Sequence, residues 1–305
     1  MVTPDRFAVV GLGQCSFDIL GRLQAFPEVD QKTELEELDF QGGGPVATAL
    51  VTLARLGIKV SFSGRIGGDD FGHKIIAGLK EEQVDCRYLQ VDTEGTSQIA
   101  FVSVDSNGHR NIFWHRGSAR PLTAADIDPK WIRQARVLHL DGLQHDASLA
   151  AAKIARDNAV TTILDGGSLR DGTRELLPFI DHPVVSEKFA EQLVPGGTVE
   201  QKLAELLSNG AIAATVTLGA QGSWSQERGR PLSHQPAFEV DVVDTTGCGD
   251  VFHGGYIYGL LQGRELSRIV RYASAAAALK AQQLGGRKGI PNNNKISKYL
   301  DTKKY

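Results

Sequence analysis

The stretch Val240-Asp-Val-Val-Asp244-Thr-Thr-Gly-Cys-Gly-Asp250-Val-Phe-His-Gly-Gly255 decides the fold. The β-branched run at its start predicts a buried strand, and the apolar residues after Asp250 recur mostly at helical spacing, which predicts a helix. A strand, a glycine turn and a helix N-terminus together aim backbone N–H groups at an anion. The stretch therefore predicts an anion site, with a carboxylate where the anion would react.

The residue types at this site indicate phosphoryl transfer. The helix end should keep the pKa of Asp250 low, so its carboxylate could accept the proton of a substrate hydroxyl that attacks phosphorus. The N–H groups of Gly247, Cys248 and Gly249 would hold the charge that develops on the transferred group. A simple helix N-cap would explain Asp250 alone, but it would not explain the two glycines, two hydroxyls and second aspartate beside it.

Composition narrows the class of protein. The chain has 305 residues and a formal net charge of −3, which fits one large α/β domain and gives no electrostatic case for binding nucleic acid or a membrane. Its three cysteines, Cys15, Cys86 and Cys248, are far apart and form neither a disulfide framework nor a metal-binding spacing. The apolar run 7–10 is too short for a signal peptide or a membrane span, so we expect a cytoplasmic protein.

The hydrophobic pattern predicts two kinds of sheet. From residue 137 onward, apolar strands alternate with helices, which predicts parallel βαβ units with helices on both faces and a site at the carboxyl ends of the strands. The segments 20–40 and 97–114 alternate with period two, which predicts a small exposed sheet. We further expect a loop over 64–72, an alanine-rich helix over 266–282 and a solvated basic tail after it.

A known kinase lineage accounts for these motifs. The P-loop and the protein-kinase glycine loop are both absent from the sequence. The run from Asp244 to Asp250 resembles the second signature of the ribokinase-like (PfkB) carbohydrate kinases, and Gly42-Gly-Gly-Pro45 together with 64–72 resembles the first. The likeness covers essentially the whole chain. It implies a three-layer α/β/α sandwich with a mostly parallel central sheet, forming one domain over 1–305, and a β-sheet lid from roughly 18–42 and 96–117.

The same resemblance implies ligands and site residues. The ligands are a sugar, ATP with Mg²⁺ and, in many members, K⁺, and the lid often joins two subunits in a homodimer. The implied sugar contacts are Asp18, Gly43 and Thr48, and the implied nucleotide loop is Thr217, Gly219 and Gly222. The implied base is Asp250, and the implied anion hole is Gly247, Cys248 and Gly249. The monovalent cation would use the backbone oxygens of Asp244 and Thr246.

The chain also departs from the family pattern. Thr48 stands where an asparagine usually contacts the sugar, and the Asn-x-x-Glu motif reads Ser186-Glu-Lys-Phe189, so ATP phosphates and water would mainly hold Mg²⁺. Cys248 replaces an alanine or serine; it is either a small residue that fits or a thiol made acidic by the helix end.

These features favour an ATP-dependent kinase that phosphorylates a primary hydroxyl of a ketose or furanose-type sugar. Within the family, the runs 234–247 and 285–291 are most similar to the sulfofructose kinases. A sulfonated sugar would need cationic partners, and the candidates are Lys32, Arg110, Arg116 and His145. Nucleoside and vitamin kinases are further alternatives. An alternative of another class is a catalytically silent sugar-binding protein on the same fold.

Overall fold

The structure is a computed structural model that describes residues 7–303. Its strands are β1 Val9–Leu12, β2 Ser16–Arg22, β3 Glu37–Gly43, β4 Val60–Gly67, β5 Asp85–Asp92, β6 Ile99–Val104, β7 Arg110–His115, β8 Val137–Leu140, β9 Thr161–Gly166, β10 His182–Ser186, β11 Ala213–Thr217, β12 Ser223–Glu227 and β13 Ser233–Gln235. Its helices are α1 Pro45–Arg55, α2 Asp70–Glu81, α3 Pro129–Arg133, α4 His145–Asp157, α5 Thr173–Leu176, α6 Glu187–Leu193, α7 Val199–Ser208, α8 Cys248–Leu261, α9 Leu266–Lys280 and α10 Asn293–Thr302.

The strands form two separate sheets. The larger has nine strands in the order β13-β12-β11-β10-β9-β8-β1-β4-β5, parallel from β11 to β5 and antiparallel at β12 and β13. The smaller has four strands in the order β3-β2-β6-β7. Strands β3, β6 and β7 lie largely within the two segments that the period-two pattern marked, whereas β2 begins before the first of them and residues 23–36 form no strand. The predicted fold class, a mostly parallel sheet with helices plus a small second sheet, is confirmed.

Helices cover both faces of the larger sheet because its strands are apolar on both sides. Val9 and Val10 are both fully buried, but they belong to different clusters. Val9 packs in the cluster of α1, α2, α8 and α9, and Val10 packs in the cluster of α3, α4, α6 and α7. Full burial of such a side chain contributes about 1.5–3 kcal/mol, so both layers depend on these alternating residues.

Helix α8 lies wedged between α1 and α9, which fixes the position of its N-terminus. A Cβ atom on Gly254 would lie 2.5 Å from Cβ of Thr52 in α1, and one on Gly255 would lie 2.9 Å from Cα of Ala273 in α9. The two glycines therefore allow the close helix packing, and the helix predicted after Asp250 is confirmed.

Several sequence predictions were wrong. The run 240–243 is not a strand, and Val242 is 54% exposed; the N–H groups of Val243 and Asp244 donate to the carbonyl of Ala281 after α9 instead of to a neighbouring strand. The predicted loop over 64–72 is mostly structured, because β4 runs to Gly67 and the side chain of Asp69 caps α2.

Other elements were missed. The basic tail forms α10, whose Ile296 is fully buried, and the antiparallel strands β12 and β13 and helix α6 were not predicted. Within residues 7–303, no helix has both the length and the apolar character needed to cross a membrane.

Candidate active site

The N-terminus of α8 presents free backbone donors. Gly247 is its N-cap with φ +74°, a left-handed conformation that favours glycine. The Cys248 N–H donates to the carbonyl of Thr245 at 3.2 Å, whereas the N–H groups of Gly247 and Gly249 have no protein acceptor among residues 7–303. A Cβ on Gly249 would meet open space. Two of the three predicted anion-hole donors are thus available, and that of Cys248 is already engaged.

Asp244 fixes the turn that leads into this helix. Its carboxylate is fully buried; Oδ1 accepts from N and Oγ1 of Thr246 at 2.8 and 2.7 Å, and Oδ2 accepts from N of Gly285 at 2.8 Å. A Cβ on Gly247 would lie 2.8 Å from Cα of Gly286, so the turn and the loop after α9 are in close contact. The buried carboxylate therefore sets the geometry of the donors.

The expected low pKa of Asp250 was wrong. Burial raises its pKa well above the usual range, the carboxylates of Asp165 and Asp18 raise it further, and Lys280 and Arg287 act in the opposite direction. Desolvation and two like charges outweigh the helix end here. Without ligands, Asp250 holds its proton more tightly than an isolated aspartate does.

His253, one turn after Asp250, ties α8 to the sheet. Its Nδ1 lies 2.8 Å from the carbonyl oxygen of Gly249 and 3.4 Å from Oδ2 of Asp165, and its Nε2 lies 3.1 Å from the carbonyl oxygen of Val184. Asp165 is the second-last residue of β9 and Val184 lies in the middle of β10, so these contacts hold the first turn of α8 against these two strands. The sequence argument missed His253 because it counted only apolar residues in that helix.

Pairing of β2 with β3 brings two predicted sugar contacts together. Asp18 is buried and accepts from Oγ of Ser16 at 2.7 Å. A Cβ on Gly43 would lie 2.2 Å from Oδ2 of Asp18, so only glycine permits this contact. Burial also raises the pKa of Asp18. Thr48 is fully buried beneath them in α1.

Arg287 is a site residue that the sequence analysis missed. Its guanidinium is buried, donating from Nη2 to the carbonyl of Gly43 at 3.0 Å and from Nε to Oγ1 of Thr48 at 3.4 Å. Burial lowers its pKa, and Asp18 is the strongest of the charges that oppose this. The unusual Gly-Gly-Arg-Lys-Gly run at 285–289 was the available signal. The hydroxyl of Thr48 is thus bound to Arg287.

Asp141 is a second buried carboxylate at a strand end. It follows β8; Oδ2 accepts from N of Gln14 at 2.7 Å, and Oδ1 accepts from N of Leu143 at 2.9 Å. Burial raises its pKa to about 7. It orders the turn between β1 and β2, and therefore the approach to Asp18.

The predicted nucleotide loop lies along the same edge of the sheet. Thr217 ends β11. Gly219 begins a short 3-10 turn and Gly222 follows its last residue, and both glycines have positive φ. At the end of β10, Ser186 caps α6, with Oγ accepting from N of Phe189 at 3.1 Å and donating to the carbonyl of Gly167 at 2.8 Å. Its neighbour Glu187 is exposed.

The acidic-thiol interpretation of Cys248 was wrong. Burial raises the pKa of this thiol, and Asp244 and Asp250 raise it further against the opposing charges of Lys280 and Arg110. The Sγ atom lies 3.6 Å from the carbonyl oxygen of Ala277 in α9. The structure favours the other interpretation, a small residue that fits between the helices.

The cations predicted for a sulfonated sugar are dispersed. Lys32 and Arg116 are exposed, and His145 lies 3.6 Å from Glu175. Arg110 extends from β7 and donates to Oγ1 of Thr245, beside the anion hole rather than beside Asp18.

Comparison with known proteins identifies the family of the chain. The pfkB family carbohydrate kinase profile matches residues 7–293. A ribokinase of Lactococcus lactis subsp. lactis (strain IL1403) is 29% identical over 292 residues, covering 95% of each chain. An ATP-dependent ribose-1-phosphate kinase of Halopiger xanaduensis is 26% identical and covers 96% of this chain and 97% of its own.

Solved structures show the same fold. The ribokinase of Thermotoga maritima has a TM-score of 0.85 at 26% identity, covering 97% of this chain and 99% of its own. The ribokinase of Arabidopsis thaliana, complexed with ribose and ATP, has a TM-score of 0.83 at 25% identity and the same coverage. The chain therefore belongs to the pfkB family of carbohydrate kinases.

Proposed function

We propose that this kinase transfers the γ-phosphoryl group of ATP to a primary hydroxyl of a ketose or furanose-type sugar, with Asp250 as general base. The observation that carries the proposal is that Asp250 lies in the first turn of α8, beside the backbone N–H groups of Gly247 and Gly249 that have no acceptor among residues 7–303. Asp18 on β2 is near enough for its charge to raise the pKa of Asp250. A sugar held by Asp18 and Gly43 would present a hydroxyl to Asp250. The Arabidopsis ribokinase, solved with ribose and ATP, supports this choice of ligands.

The step needs one base and one set of donors. The Asp250 carboxylate accepts the hydroxyl proton as the sugar oxygen attacks the γ-phosphorus. The bond from that phosphorus to the bridging oxygen breaks, and ADP leaves with its electron pair. The N–H groups of Gly247 and Gly249 hold the negative charge on the transferred group, while Thr217, Gly219 and Gly222 border the nucleotide.

Mg²⁺ bound with ATP would neutralise phosphate charge. The protein offers few ligands for it at the place where the family has Asn-x-x-Glu, because Ser186 is used as a helix cap and Glu187 points to solvent. The ATP phosphates and water are therefore its main ligands in this proposal.

The substrate is proposed to be a neutral sugar. The buried cation beside Asp18 is Arg287, and it already donates to Gly43 and Thr48. Of the cations predicted for a sulfonated sugar, Lys32 and Arg116 are exposed to solvent. We therefore do not assign them to a sulfonate pocket together with Arg287.

A panel of acceptors tests the proposal through ADP release. Ribose, fructose, other ketoses, sulfofructose and nucleosides are supplied with Mg·ATP, and we expect turnover with a neutral ketose or furanose. A preference of more than about tenfold in kcat/KM for sulfofructose would instead assign a sulfosugar kinase. A sugar that raises the melting temperature without any turnover would indicate a silent binding protein.

We also propose that the outer face of the small sheet forms a homodimer. Leu38 and Phe40 on β3 and Phe113 on β7 are large exposed apolar side chains on the face of the sheet opposite to Asp18, because the strand register aligns Phe40 and Phe113 in one row. A second copy of the same face would cover them. Light scattering should show a dimer that Phe113→Asp converts to a monomer, whereas Val29→Asp, at an exposed apolar residue outside this sheet, should leave it intact. A monomeric wild-type protein would refute the dimer.

A further inference from the structure

Lys280 places a buried ammonium group directly behind the first turn of α8. It is the last residue of α9, its side chain is fully buried, and Nζ donates to the backbone oxygen of Asp244 at 2.8 Å. Lysine is almost never fully buried unless its charge is paired. This position therefore has a role beyond packing.

The residues here do not fit the monovalent cation that the family likeness implies. That cation would use the backbone oxygen of Asp244, which already faces the ammonium of Lys280. A K⁺ ion on the same oxygen would lie beside a like charge in a buried site, where little solvent screens the repulsion. An ammonium carries the same charge as K⁺ and contacts a carbonyl oxygen at a similar distance.

The groups around Lys280 are those of the phosphoryl site. Cys248, Asp244 and Asp250 favour its charged form, Arg110 opposes it, and burial lowers the pKa of Lys280. The loop after α9 encloses the same place, because the carbonyl of Ala281 accepts from Val243 and Asp244. The ammonium is thus held between the turn at 244–247 and the end of α9.

We propose that Lys280 is a built-in substitute for the monovalent cation, so that this kinase works without K⁺. Its ammonium holds the carbonyl of Asp244 in place and supplies one fixed positive charge beside Asp250 and the anion hole. Lys280 touches no reacting atom and is a positioning residue. The inference rests on the proposed kinase activity for its kinetic test and is independent of it for its stability test.

The first experiment varies the salt with wild-type protein. Turnover and melting temperature are measured in tetramethylammonium, sodium and potassium chloride at equal ionic strength, with ATP and Mg²⁺ free of K⁺ and Na⁺. We expect both quantities to be the same in the three salts, with turnover agreeing within about twofold. A stimulation of more than about tenfold by K⁺, or a rise in melting temperature specific to K⁺, would overturn the inference; tenfold corresponds to 1.4 kcal/mol.

The second experiment removes the ammonium in two ways. Lys280→Ala leaves space for an ion, and Lys280→Met fills the space without charge. In tetramethylammonium both should lose about 10²-fold in kcat, because a small displacement of the catalytic groups can cost this much even when the substituted residue touches no reacting atom. Potassium should restore turnover and raise the melting temperature of Lys280→Ala, and it should do neither for Lys280→Met.

A matched control is Lys288→Ala, at an exposed lysine of the same loop that lies 3.2 Å from Glu37. It should behave as wild type in all three salts. If K⁺ changes neither the activity nor the stability of Lys280→Ala, the inference is wrong. If that variant does not fold, wild-type turnover by Lys280→Met in tetramethylammonium refutes the inference. Absence of any wild-type turnover refutes the proposed function instead, and the melting temperatures still decide the cation question.

Discussion

The phosphoryl side and the sugar side of the site are built from different kinds of group. On the proposed phosphoryl side, the backbone N–H groups of Gly247 and Gly249 have no acceptor among residues 7–303, and the buried Asp244 carboxylate holds the turn behind them. On the proposed sugar side, the groups are the charged side chains of Asp18 and Arg287, both buried beside Gly43. The proposed phosphoryl side is encoded mainly by the seven consecutive residues 244–250, with Gly285 bound behind them. The proposed sugar side joins Gly43 to Arg287, which lies 244 positions later in the sequence. A short motif can thus specify the reaction without specifying the acceptor.

The largest effect should come from Asp250→Asn, which breaks the phosphoryl side alone. Loss of a general base typically costs about 10²–10⁴ in rate, and we expect kcat to fall by this factor. The pKa of Asp250 is raised in the folded protein, so this carboxyl costs stability increasingly as the pH rises from the ordinary pKa of an aspartate toward the raised one, and the cost stays complete above it. The asparagine variant should therefore melt at a higher temperature at pH 7.5.

The control for this variant is Asp241→Asn, an exposed carboxylate of the same segment. It should change neither kcat nor the melting temperature. Near-normal turnover by Asp250→Asn would remove Asp250 as the base, and the phosphoryl side would then be defined by its N–H donors alone.

Arg287→Met should give the next largest effect and should break the sugar side. The substitution removes the donors to Gly43 and Thr48 and leaves the buried Asp18 without its nearest cation. Hydrogen bonds of charged groups contribute roughly 1.5–3 kcal/mol, so the melting temperature should fall. Because these bonds hold Gly43 and Thr48 in the proposed sugar pocket, we expect the KM for sugar to rise by up to about 10²-fold through misplacement of that pocket, with a smaller change in the KM for ATP.

Arg116→Met is the matched comparison, because Arg116 is an exposed arginine beside the lid strand β7. It should leave both KM values within about twofold. If Arg116→Met raised the sugar KM and Arg287→Met did not, the acceptor would bind toward the outside of the lid, as a sulfonate-binding pocket built on Arg116 requires.

The acid limb of the pH–rate profile tests whether the two sides are coupled. Protonated Asp250 cannot accept a proton, so kcat/KM should fall as the pH decreases, beginning at a higher pH than for an ordinary aspartate. Because Asp18 raises the pKa of Asp250, Asp18→Asn should move this limb to lower pH. If the acid limb of kcat/KM lies at the same pH in Asp18→Asn as in the wild type, Asp18 and Asp250 act independently.

The parallel strands of the fold were predictable because a strand that is buried on both faces of its sheet has a continuous apolar sequence. The apolar runs from 137 to 218 gave the parallel strands, and the period-two alternation of 20–40 and 97–114 gave the small sheet. The local sequence pattern gave a wrong prediction where the hydrogen-bonding partner of a segment was a helix end and not a strand. The residues 240–243 have strand-like composition, yet they lie against the end of α9 at Ala281.

The remaining misses depend on contacts between distant segments. The tail looked solvated because Lys295 and Lys298 surround Ile296, which alone is fully buried there. The charged Arg287 becomes a buried site residue only through Gly43, and the pKa of Asp250 is set by Asp165 and Asp18 on other strands. Sequence periodicity contains no information about such contacts, so the family of the chain was predictable from the motif and the direction of the pKa shift of Asp250 was not.

The smallest effect should come from Cys248, the one side chain within the anion hole. Burial raises the pKa of its thiol, and it raises those of Cys15 to about 12 and Cys86 to about 11. Since the thiolate is the reactive form, iodoacetamide at pH 7 should alkylate all three slowly, and mass spectrometry of quenched samples checks this. Cys248→Ala should keep kcat within about threefold, because its backbone donates to Thr245 and its side chain only fills space beside Ala277. Rapid alkylation of Cys248 with loss of activity would mean that bound ligands or Lys280 acidify the thiol, and the phosphoryl side would then depend on a side chain as the sugar side does.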